Sequence, residues 1–193
     1  MGRAEILKSI KANKPEMVAL PEIDTKQFSE EVDLLDTFKQ HVQLVGGNLL
    51  ELDNKDNLDV EIKKLYPKAE KIVSYLKDSN LGDSSITIST QSQALENVDL
   101  AILEGVFGVS ENGSVWISEE QFPIRVLPFI TNDLVIVLSK TALCENMHEA
   151  YKKLAYRDKS FGLFLSGPSK TADIEQCLVI GAQGAMSLTI VLV

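Results

Sequence analysis

A chain of 193 residues that is 45% hydrophobic and 24% charged has the make-up of an ordinary folded protein, within reach of a single domain with a sizeable core. Its formal net charge of −9 argues against a nucleic-acid backbone or an anionic membrane surface as main partner, since both reward clustered Lys and Arg. The only cysteines, Cys144 and Cys177, form no CxxC pair, which excludes a four-cysteine zinc or iron–sulfur site on this chain.

In chain order, Ile6, Leu7 and Ile10 share one face of a short opening helix, and the N-terminus lacks the long apolar run of a secretory signal. Pro15 and Pro21 make "NKPEMVALPEID" an extended connector, so residues 1–25 are expected to form an arm and residues 26–193 the domain. Phe28, Val32, Leu35, Phe38, Val42 and Val45 step by three or four, predicting a helix that Gly46 and Gly47 end. "NLLEL" reads as a strand. A helix capped by Asp56 or Asn57 runs through Leu65, and "KIVSYL", "ITIST", "DLAILEGVFGV", "GSVWI" and "DLVIVLS" read as further strands, with a short helix in "QSQALENV". Leu143, Met147, Ala150 and Leu154 mark the next helix. "SFGLFLS" then leads into "GPSKTADIEQCLVIG", expected as strand, loop and helix, and "SLTIVLV" closes the chain as a strand too short to span a bilayer. Short apolar strands alternating with amphipathic helices define an α/β domain with a mostly parallel sheet, made mixed by the hairpin around Glu111. A cytoplasmic location is expected, with both thiols buried and structural.

Two stretches can carry chemistry. In "LSGPSKTADIEQ", Gly167 and Pro168 turn the chain, and Ser169 or Thr171 caps a helix starting near Ala172 that buries Ile174, Cys177 and Leu178. Free amides there, with Ser169, Lys170 and Thr171, suit a phosphate or carboxylate; Asp173 and Glu175 favour a ribose hydroxyl or an amide-held carboxylate instead. The same residues also serve as plain helix caps. In "SENGSVWI", Asn112 and Gly113 make a turn that lifts Glu111 to the sheet rim, between Ser110 and Ser114. Glu111 is the one candidate nucleophile or base, and Glu104 is a second acid near the same strand. Gly181 fits a helix C-cap, Arg125 is expected to pair with an acid near the site, and Trp116 and Phe122 fit the core. His41 and His148 belong to no HxxxH-type pair and read as surface or half-buried helix residues, so no metal site is expected.

"GPSKTADIEQCLVIGAQGAMSLTIVLV" resembles the C-terminal signature of the lactate utilization protein C family, also called the YkgG or LUD-domain family. That family's acid–(Asn/Thr)–Gly hairpin falls at Glu111, Asn112, Gly113 and Ser114. The resemblance implies a NagB/RpiA/CoA-transferase-like α/β fold. It also implies a part in L-lactate oxidation to pyruvate beside two iron–sulfur partner proteins, with no cofactor on this chain. By position, Gly167, Ser169, Lys170, Thr171, Asp173 and Glu175 would line a ligand pocket with Glu111, Asn112 and Gly113. Lys170 replaces a frequent Arg, and Gln183 and Ala185 replace a common His and Pro. "SENG" is also the signature around the catalytic glutamate of class I CoA-transferases. An acyl-transfer enzyme using Glu111 and a module sensing a small carboxylate or nucleotide are therefore the alternatives.

Overall fold

The computed structural model describes residues 2–19, 21, 24, 27, 32–82, 86–87, 89–122, 124–155, 161–174 and 177–193, with the backbone alone at Ser92 and at 172–174. Phe28 and Glu175, named above, and Ile88 of "ITIST" lie outside the described residues.

Five strands form the central sheet: β1 (Asn48–Glu51), β2 (Ile72–Ser74), β3 (Leu100–Glu104), β6 (Asp133–Leu138) and β11 (Ser187–Leu192), ordered β1-β11-β6-β3-β2. Every neighbouring pair is parallel. β6 and β11 hold the centre because their apolar runs can be buried on both faces. The two-residue period of a strand then sorts the side chains. Leu134, Ile136 and Leu138 face one core with Phe38 and Val42, whereas Val135 and Val137 face another with Leu58 and Ile62.

Those last pairs come from the flanking helices. α2 (Leu34–Leu44) covers one face; Asp33 starts it by accepting from the amides of Leu35 and Asp36, both at 2.9 Å. α3 (Leu58–Leu65) covers the other and ends ahead of Pro67. α1 (Arg3–Ala12) buries no residue, leaving Ile6, Leu7 and Ile10 exposed.

The hairpin around Glu111 belongs to a second sheet, of order β7-β4-β5-β8, rather than to the parallel one. Its strands are β4 (Phe107–Val109), β5 (Ser114–Ser118), β7 (Leu143–Cys144) and β8 (Gly162–Leu165). Val115 and Ile117 of β5 join the core beneath α2. Phe107, Trp116 and Phe164 meet toward α5 (Met147–Leu154), with the Trp116 and Phe164 ring centres 4.7 Å apart. A short helix, α4 (Leu127–Ile130), precedes β6.

The helix expected from Ala172 is instead an antiparallel ribbon, β9 (Lys170–Ile174) with β10 (Cys177–Ile180). Leu178 and Ile180 on it are exposed, as is the Cys177 thiol, so the expected buried face is absent. Gly181 accordingly ends a strand, not a helix. In "ITIST" the described residues are coil and turn, and Leu143 lies in β7 ahead of the helix it was assigned to.

Candidate functional site

The turn from β4 to β5 is fastened on three sides. Asn112 Oδ1 accepts from the amide and hydroxyl of Ser114, at 3.0 and 2.6 Å, closing the turn on itself. Gly113 has φ 64°, and a Cβ there would stand 2.6 Å from the backbone nitrogen of Val42. Only glycine therefore lets the turn lie against α2. Ser110 completes that contact: its hydroxyl donates to the Leu34 carbonyl at 2.7 Å, and its own carbonyl accepts from His41 Nδ1 at 2.7 Å.

On the opposite side, the Glu111 amide donates to the Glu145 carbonyl at 2.9 Å, and Glu111 Oε2 accepts the Met147 amide at 2.7 Å. Met147 opens α5, and Asn146 caps the same helix by accepting from the Glu149 amide at 3.1 Å. Glu111 is thus a second acceptor at that helix start, where a negative charge meets the positive end of the peptide dipoles. The Met147 amide engages one carboxylate oxygen, Oε2, and lowers the nucleophilicity of the group without occupying its second oxygen. A cavity of about 300 Å³ opens between α2, this turn and the start of α5. Thr37, His41, Glu111, Glu145, Asn146 and His148 are among the residues that line it.

The "LSGPSK" stretch meets the other end of α2. Gly167 has φ 72°, and a Cβ there would come within 2.4 Å of the Val45 carbonyl oxygen. Lys170 Nζ donates to that same carbonyl, placing a positive charge at the helix C-terminus. Ser169 is held through its backbone, to Ala185 at 2.9 Å and Gly181 at 3.1 Å. Ser166 Oγ donates to the Asn112 carbonyl at 3.0 Å, so the two chemistry-bearing stretches do touch. They open, however, onto different spaces. Gly167 and Ser169 line a cavity of about 360 Å³ with Phe129, Leu134, Phe164 and Gln183. Thr171 pairs with Val179 in the ribbon, and the backbone of Asp173 follows in β9.

Glu104 ends β3 in a third recess, of about 160 Å³, together with Lys55, Lys77 and Asp78. Arg125 pairs with Glu119 at 2.8 Å, an acid outside all three spaces, and holds that carboxyl below the ordinary range. Phe122 is fully in the core, and Trp116 is half-buried. Burial pushes the Cys144 thiol up to about 11, so this sulfur is not a nucleophile at neutral pH. Among the described residues, no group of three or more His, Cys, Asp or Glu is arranged to hold a metal ion.

Sequence reasoning passed over His41 and His148 as site residues. His41 meets a carbonyl 69 residues away, and no local spacing encodes such a meeting. The one available signal was that Thr37 and His41 lie four apart, hence on one face of α2.

A parallel sheet with helices on both faces and a second, largely antiparallel sheet beside it defines an α/β protein with parallels among solved structures. A crystal structure of a DUF162 family protein from Deinococcus radiodurans matches with a TM-score of 0.62 at 13% identity, covering 89% of this chain and 99% of that one. The model of the LUD domain matches residues 85–193, more than half of the chain, and the chain belongs to that family. Similar curated proteins extend the likeness over nearly the full length. Lactate utilization protein C of Oceanobacillus iheyensis is 19% identical, covering 93% of this chain and 88% of its own. Lactate utilization protein C of an Exiguobacterium species is 26% identical, covering 93% and 86%.

Proposed function

We propose that this LUD-domain protein takes part in lactate utilization, as a metal-free component of L-lactate oxidation to pyruvate that works beside two iron–sulfur proteins. The observation that carries this reading is the coverage: relatives named lactate utilization protein C align over 93% of this chain and over 88% and 86% of their own. The likeness therefore spans most of each relative's length. The composition is compatible with it, since two cysteines are too few for a four-cysteine iron–sulfur cluster on this chain.

The test is biochemical. The chain, expressed with its two candidate iron–sulfur partners and purified anaerobically, is expected to co-elute with them and to support L-lactate-dependent pyruvate formation with an artificial electron acceptor. Turnover by the partners that is identical with and without this chain would remove it from the reaction.

A further inference from the structure

We propose that the 300 Å³ cavity between α2, the β4–β5 turn and the start of α5 is a binding site for a small hydroxylated metabolite. His41 Nε2 is the atom that recognises its hydroxyl. The proposal rests on the function proposed above only in taking lactate as its first probe.

The tautomer of His41 follows from its partner. A backbone carbonyl can only accept, so the 2.7 Å contact with the Ser110 oxygen puts the proton on Nδ1. In the neutral ring, Nε2 is then a hydrogen-bond acceptor, and it is the nitrogen left for a ligand. The ring is held by a rigid support. Ser110 is fixed by its hydroxyl to the Leu34 carbonyl and by its amide to the Cys144 carbonyl, at 2.7 and 2.9 Å. A site whose acceptor is oriented before the ligand arrives loses less entropy on binding.

The walls decide the class of ligand. Glu111 and Glu145 contribute carboxylates, His148 a second imidazole, and Thr37 and Asn146 uncharged polar groups; among the described lining residues there is no lysine or arginine. Such a wall rewards a ligand that brings hydrogen-bond donors and disfavours one that brings a second carboxylate. The hydroxyl is accordingly the group selected, and the acid function of a hydroxy acid is only tolerated. A volume of about 300 Å³ suits a small metabolite rather than a dinucleotide.

Titration calorimetry on the full chain with L-lactate, its neutral amide lactamide, and propionate tests the proposal. Lactamide is expected to bind at least as tightly as L-lactate, and propionate, which lacks the hydroxyl, about tenfold or more weakly than either. His41→Asn keeps an amide N–H for the Ser110 carbonyl and removes the ligand-facing nitrogen. It is expected to weaken lactamide about tenfold while the thermal midpoint stays near that of the parent. A second readout needs no variant: ring ¹⁵N spectra should show His41 protonated at Nδ1, with the Nε2 resonance moving on lactamide addition. Propionate equal to lactate, binding by none of the three, unchanged affinity in His41→Asn, or an Nε2 resonance that ignores the ligand would each overturn the site. A chain that fails these tests yet remains necessary for lactate oxidation would lose the site and keep the role.

Discussion

Gly113 and Gly167 are the residues through which two distant stretches reach α2, one at its last turn and one at its C-cap. Both hold a positive φ, and each would drive a Cβ into helix backbone. Gly113→Ala and Gly167→Ala are therefore expected to cost about 1–3 kcal/mol each, read as a lowered urea midpoint with an unchanged slope. The cysteines separate just as sharply. Cys177 is exposed, whereas Cys144 is buried with its thiol pushed up to about 11. A thiol reagent at pH 7.5 is expected to modify Cys177 quickly in the native protein and Cys144 only after unfolding. Mass mapping of the labelled peptides checks this, and equal labelling rates would contradict the buried placement.

Among the elements, the long apolar signals translated directly. The runs at β6 and β11 became the centre of the sheet, and the stripe of Phe38 and Val42 became the inner face of α2. These segments are fixed by burial, which leaves a periodic trace in the chain. The β9–β10 ribbon left a misleading one. Ile174, Cys177 and Leu178 have helical spacing, and hydroxyls with acids ahead of them imitate a helix start. The backbone instead pairs across the ribbon, Thr171 with Val179 and Lys170 with Ile180. Thr171, Ile174, Val179 and Ile180 are β-branched and suit that choice. The candidate site was legible in part for the same reason: turn chemistry named Glu111, Asn112 and Gly113, but only tertiary packing brings His41 and Glu145 to them.

Asp99 shows how elements are joined by one side chain. Its carboxylate accepts the amides of Lys71 and Glu70, both at 2.9 Å, tying the approach to β2 to the approach to β3. These backbone donors, Lys71 foremost, hold the carboxyl below its ordinary value of 3.8. A carboxyl lowered on folding contributes stability that is present above that ordinary value and is lost as pH falls through the folded one. Urea midpoints are therefore expected to decline as pH falls below 3.8, and Asp99→Asn to flatten part of that decline. An Asp99→Asn variant with the parent's full acid sensitivity would place the linkage elsewhere. Glu51, lowered by Lys39 and Lys140, adds to the slope in the same direction.

For the whole molecule, a parallel sheet and a second sheet share one core; one cavity opens between α2 and the start of α5, and the other is lined from β6, β8 and β11 by Leu134, Phe164 and Leu188. The two stretches that resemble a family signature touch through Ser166 and Asn112 but face different cavities. Deleting the gene from its source organism and growing the strain on L-lactate as sole carbon source tests the proposed part in lactate utilization. Growth is expected to fail on L-lactate, persist on pyruvate, and return when the gene is restored. Undiminished growth on L-lactate without the gene, with no second copy of the family present, would contradict the account.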